Sequence, residues 1–262
     1  MRPFVTRAAY RRIADLPLAE RVQRMRDPEV RRRILEQKRE HRSNLMQQVT
    51  QGFEKMFRLG DPPNYEPAAE DSILAIARRE GREPQEVAYD ILLERDGHEL
   101  IFLPFTNYTE RNHEIILEMM KDDQSLFGLG DGGAHCGLIC DATIPTYLLT
   151  HWVRDRNRGE RLPLEWIVKR QTRDNAEFFG LHDRGTLAPG MKADVNLIDF
   201  DRLTLKPPHI VHDLPAGGRR LVQKAEGYLA TIQSGEITFE QGIHSGALPG
   251  TLVRGRQKPP AA

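Results

Sequence analysis

Leu126-Phe-Gly-Leu-Gly-Asp-Gly-Gly-Ala-His135 is a short apolar run that stops at an acid, with two glycines directly after it. A buried parallel strand that delivers one carboxylate to an open rim reads this way, because glycine lets a substrate or metal approach the backbone there. Asp131 is therefore the first candidate for chemistry. His135 lies four residues further on in the same rim loop and is a candidate substrate contact.

Upstream, residues 99–105 (ELIFLPF) form a nearly continuous apolar run that predicts a short strand. Asn107 and Tyr108 follow it, where a barrel loop faces an active site, and are candidate substrate contacts. Residues 53–59 (FEKMFRL) alternate like a strand. Helices are predicted at 18–25, from Pro28 onward with Asp27 as N-cap, at 71–79 ended by Gly81, at 84–93, and at 109–121. More follow at 144–157, 163–171 and 173–179. Strands and helices joined by short links predict a parallel sheet or barrel. From Arg184 the rhythm changes to short runs with turn signals. The expected division is a partial barrel over 1–182, a β-rich domain over 183–256 and a disordered tail over 257–262.

The chain has 262 residues, 38 acidic and 38 basic, with 39% apolar residues. A balanced charge argues against a general nucleic-acid binder. No run approaches the roughly 18 apolar residues of a membrane span, and no secretory signal is evident at the N-terminus. Two cysteines make no disulfide framework, so a cytoplasmic location is expected. The arginines of residues 1–42 interleave with Glu20, Asp27, Glu29, Glu36 and Glu40, as on solvated helix faces laced with ion pairs.

Three passages resemble the amidohydrolase superfamily, most closely its N-acyl-D-amino-acid deacylase (D-aminoacylase) branch. They are GLGDGGAH (128–135), GLHDRGTLAPGMKADVNLIDF (180–200) and GALPGTLVRG (246–255). The resemblance covers nearly the whole chain but only the C-terminal half of the family pattern. It implies an α/β fold: the C-terminal part of a metal-dependent-hydrolase TIM (β/α) barrel, with a small β-sandwich-like domain. It also implies zinc-assisted hydrolysis of the amide bond of an N-acyl amino acid. Asp131 matches the aspartate that contacts the metal and acts as general base and acid.

The family's other ligands include a His-x-His pair, which this chain lacks among its nine histidines. Catalytic zinc takes about three protein ligands. The β-rich tail occupies about 80 residues, and a complete barrel needs roughly 250. The expected reading is a C-terminal fragment, inactive alone. The alternative is a non-catalytic subunit, or an inactive fragment, that self-associates or needs an N-terminal-half partner to complete the barrel. Other residues read as structure: Cys136 and Cys140 as small thiols, His209 and His212 as a loop, Tyr147 and Trp152 as core, and Asp194 as a turn residue.

Overall fold

The computed structural model describes residues 3–37, 52–128, 136–140 and 142–260. They form two compact units, Met1–Ile115 and Ile116–Ala262. No helix among the described residues is long and apolar enough to cross a membrane.

The first unit is mainly helical. It contains α1 (Ala8–Arg11), α2 (Leu18–Arg26), α3 (Pro28–Glu36), α4 (Ile73–Glu80) and α5 (Pro84–Ile91). Asp27 caps α3 as its sequence predicts, its carboxylate accepting from the amides of Glu29 and Val30. Ser72 caps α4, and Gly81 ends it in the left-handed conformation. Apolar stripes at helical spacing meet in one core of Phe4, Tyr10, Met25, Ile34, Met56, Ile73, Tyr89 and Ile101. Arg7 is buried beneath α3. Its guanidinium donates to the carbonyls of Ile34 and Leu35, the open end of that helix, and to Gln85 Oε1 at 2.6 Å. A helix C-terminus leaves carbonyls unsatisfied and carries partial negative charge, so a buried cation suits it. The other arginines of this region behave as expected: Arg32 and Arg33 pair with Glu29 on the exposed face of α3.

The strands of the first unit depart from expectation. Residues 53–59 split into a 3₁₀ turn (Phe53–Lys55) and β1 (Phe57–Arg58). Phe53 and Met56 are both buried and stand three apart, the spacing of a 3₁₀ turn and not of a strand. Strand β2 is Ile101–Phe102, and Pro104 follows soon after. β1 and β2 pair antiparallel, with Phe57 opposite Phe102, where the alternation of elements predicts parallel pairing. Two-residue strands carry too few ladder bonds to direct a sheet. Their pairing follows the burial of Met56, Phe57, Leu59 and Ile101.

Helix α6 (Glu114–Lys121) starts at the end of the first unit and runs into the second, where α7 (Ile144–Tyr147) continues as a π-helical segment over Leu148–Asp155. Then come α8 (Leu164–Gln171) and α9 (Arg173–Phe178). Strands follow: β3 (Val195–Ile198), β4 (Thr204–Leu205), β5 (His209–Leu214), β6 (Gly218–Val222), β7 (Ala225–Glu226), β8 (Tyr228–Gln233), β9 (Glu236–Glu240) and β10 (Ile243–His244). An antiparallel sheet runs in the order β10-β9-β8-β3, and β4-β7 and β5-β6 are separate pairs.

These strands share a core with the helices. Leu203 and the partly buried Ile198, Phe200 and Tyr228 pack with Leu148, Trp152 and Ile167. Burying Trp152 on this scale contributes on the order of 2–3 kcal/mol. Near the end of the described residues, Gln257 bridges Leu181, its amide donating to the Gly180 carbonyl at 2.9 Å. The tail expected to be disordered from 257 is thus tied to the backbone at its first residue.

Candidate functional site

The approach to Asp131 is held by side chains and not by a strand. Residues 126–128, the described part of the strand expected at 126–130, have no strand partner among the described residues. The Phe127 carbonyl and several just before it are taken by side chains. Arg170, on α8 and 9% exposed, donates to the carbonyls of Met120 (3.3 Å), Asp122 (3.3 Å) and Ser125 (2.7 Å), and to Ser125 Oγ (2.9 Å). All four acceptors lie around one nitrogen of Arg170, Nη2, which shares its two hydrogens among them at the C-terminal end of α6. Its charge faces Asp174 at 3.6 Å. The guanidinium also lies 5.2 Å from the ring centre of Phe127 and 5.5 Å from that of Trp166. Asn175, on α9, donates to the Phe127 carbonyl at 2.8 Å. Further along the chain, the carbonyl of Cys136 accepts from the amide of Leu221 on β6 at 2.7 Å. Asp131 and His135 themselves lie outside the described residues.

Asn107 and Tyr108 belong to the first unit and part company there. Asn107 is exposed and takes a left-handed backbone (φ 57°), which asparagine tolerates better than most residues. Tyr108 is buried. Its hydroxyl donates to the Pro67 carbonyl, and its ring stands edge-on to Phe57 and His113. Tyr108 supports the loop that presents Asn107.

Glu66 and His113 meet in the same unit, 47 residues apart in the chain. The Glu66 side chain is 2% exposed and that of His113 9%. Glu66 Oε1 accepts the His113 amide at 2.8 Å, and Oε2 stands 3.8 Å from His113 Nδ1. The sequence holds no spacing signal that joins a lone glutamate to a lone histidine across such a separation. A carboxylate oxygen and an imidazole nitrogen are both zinc-type donors. As a pair they fit such an ion in chemistry and fall short of the roughly three protein ligands of a catalytic site.

The remaining sequence candidates are structural. Tyr147, read as core, stacks on His151 at 4.6 Å, and Trp152, also read as core, is buried and meets that ring edge-on. Cys136 and Cys140 are both half-buried. His209 and His212 lie on strand β5, not in a loop, and a three-residue offset is not a same-face spacing on a strand. Asp194 Oδ1 accepts from the Ser234 amide at 2.8 Å, a turn contact as expected.

Comparison with known proteins assigns the class. The model of the amidohydrolase family matches residues 2–239, and this chain belongs to that family. Two curated relatives, both named 5-methylthioadenosine/S-adenosylhomocysteine deaminase and both from strains of Desulfitobacterium hafniense, are each 42% identical over 67 residues. That match takes in 23% of this chain and spans only 15% of each relative. No solved structure matches the chain.

Proposed function

We propose that the chain serves a hydrolase of C–N bonds of the N-acyl-D-amino-acid deacylase kind. The family match over residues 2–239 carries the reading. The passages around Asp131, at 180–200 and at 246–255 point to the deacylase branch, and with it to a β/α-barrel ancestry and a β-sandwich-like domain. Asp131 is the catalytic carboxylate. It takes a proton from the attacking water and returns it to the leaving nitrogen, so one group works as base and then as acid. A bound zinc, with Asp131 among its ligands, would polarise the scissile carbonyl and lower the pKa of water. His135, Asn107 and Tyr108 are assigned to the substrate side, Asn107 as the exposed contact and Tyr108 as its support.

The chain has no His-x-His pair. We propose that another polypeptide, a partner or a second copy, supplies the missing ligands. The test is release of the amino acid from N-acetyl-D-amino acids, by the purified chain and by the assembly that co-purifies with it. The expected result is turnover by the assembly alone, lost at least about a hundredfold on Asp131→Asn. Turnover by the isolated chain with stoichiometric zinc overturns the partner reading. An inactive assembly, or full activity of Asp131→Asn, overturns the assignment of the site.

The curated relatives support a second reading, hydrolytic deamination of 5-methylthioadenosine or S-adenosylhomocysteine. Both reactions break a C–N bond. Ammonia release from the nucleosides, with no cleavage of N-acyl amino acids, selects this reading over the first.

A further inference from the structure

We propose that β5 is the seat of a two-fold dimer, pairing along its free edge with β5 of a second copy of this chain. Pairing there needs only the β5-β6 hairpin and does not depend on the hydrolase reading.

β5 and β6 pair in the register His209–Val222, Ile210–Leu221 and Val211–Arg220. The Leu221 amide points away from β5, to the Cys136 carbonyl at 2.7 Å. In an antiparallel ladder both members of a pair turn their polar groups toward each other or both turn them away. Ile210, opposite Leu221, therefore turns its N–H and C=O to the far side of β5, where neither has a partner among the described residues. The outer edge of β6 is engaged at Leu221, and that of β5 is bare at Ile210. All of β5 except the half-buried Val211 is exposed. A two-stranded hairpin with a bare edge is marginal in water, and further strands stabilise it.

The strand is complementary to itself. Around Val211 it reads His209-Ile-Val-His-Asp213. Two copies paired antiparallel about an axis at Val211 set His209 opposite Asp213 twice, and Ile210 opposite His212. An axis at Ile210 sets His209 against Val211 and calls on Pro208, which has no N–H. An axis at His212 sets Asp213 against Val211. Of the three, the axis at Val211 alone matches an imidazole with a carboxylate.

Asp213 is held ready for that contact. Arg220 donates from Nε to Oδ1 at 2.8 Å and from Nη2 to Oδ2 at 2.7 Å. Arg220 lies opposite Val211, so the carboxylate stands on the face that Val211 shares with His209. Each carboxylate oxygen can accept a further bond.

The test is sedimentation of the full chain over a range of concentrations. A reversible dimer is expected, with a dissociation constant on the order of 10 μM, as suits a small interface. Ile210→Pro removes only an outward N–H and is tolerated on an edge strand. It should raise the dissociation constant about tenfold or more. Register is read by cross-linking in a chain with Cys136 and Cys140 replaced by serine. Residues on the axis form a non-hydrogen-bonded pair with Cα atoms about 4.5 Å apart, within disulfide reach. Val211→Cys should therefore cross-link in oxidised glutathione, and His209→Cys far more slowly. Circular dichroism verifies the folding of Ile210→Pro, and if it does not fold the cross-linking decides. A chain still monomeric at about 100 μM, a dimer of unchanged strength in folded Ile210→Pro, or equal cross-linking at 209 and 211 overturns the proposal. Those outcomes leave amide hydrolysis standing, and loss of amide hydrolysis leaves this dimer standing.

Discussion

The Arg170 guanidinium donates to the Ser125 carbonyl at 2.7 Å, across 45 residues, and fixes the backbone just before the stretch that carries Asp131. Arg7 does the same for the end of α3 in the first unit. Each unit therefore spends a buried cation on closing a helix, a task usually left to a glycine or to water.

Arg170→Met is expected to destabilise the second unit by about 2–4 kcal/mol. Three carbonyls lose a charged donor, and hydrogen bonds to charged groups contribute about 1.5–3 kcal/mol each before compensation. Arg170→Lys should recover only part, because an ammonium lacks the planar face that lies by Phe127 and Trp166 and the second nitrogen that faces Asp174. Urea unfolding followed by tryptophan fluorescence measures both, Trp166 lying beside the guanidinium. A midpoint unchanged in Arg170→Met counts against the cap.

Tyr89 is buried, and its hydroxyl donates to the Met25 carbonyl at 2.8 Å. Burial pushes the phenol well above its ordinary value. A group whose folded pKa is raised contributes stability below the unfolded pKa and loses it as pH rises. Stability from Tyr89 is thus complete below about pH 10 and declines above it. Tyr89→Phe should cost about 1 kcal/mol at neutral pH and flatten that alkaline decline, read from denaturant midpoints at a series of pH values.

Asp90 works in the opposite direction. Burial raises its carboxyl, and the guanidiniums of Arg31 and Arg82 outweigh burial and hold it below the ordinary aspartate range. Its contribution is present above the unfolded value and is lost as pH falls through the lower folded value. The side chain is 41% exposed, so Asp90→Asn should cost only about 1 kcal/mol, and less in high salt. A larger loss that is insensitive to salt would point to packing instead.

Gly227 and Gly235 separate backbone strain from crowding. Both have positive φ, 101° and 85°. A Cβ at Gly227 would lie 2.6 Å from Leu203 Cα, whereas one at Gly235 meets nothing within 4 Å. Gly235→Ala should cost about 1 kcal/mol, the left-handed penalty alone, and Gly227→Ala clearly more, with a shift of the β4-β7 pair. Equal thermal midpoints for the two variants contradict this.

Local signals were legible in the chain, and long-range ones were not. Asp27-Pro28 and Gly81 mark helix boundaries because capping is decided within a few residues. The β-rich end announces itself through its turns. The runs near 57 and 101 predict longer strands than the two-residue ones that form, because a short apolar run shows burial without showing what satisfies its backbone. At 126–128 that answer lies on α8 and α9. The pairing of Glu66 with His113, and the burial of Arg7 among solvated arginines, likewise depend on tertiary placement that no periodicity encodes.

The double attachment of 125–127 to Arg170 and Asn175 has an evolutionary corollary. Drift in the two helices that carry Arg170 and Asn175 can shift residues 125–127 with no change in the sequence that follows them. A family that keeps its signature peptide can therefore diversify from behind it, and variants selected for a new substrate would be expected to accumulate at 166, 170 and 175 ahead of 131.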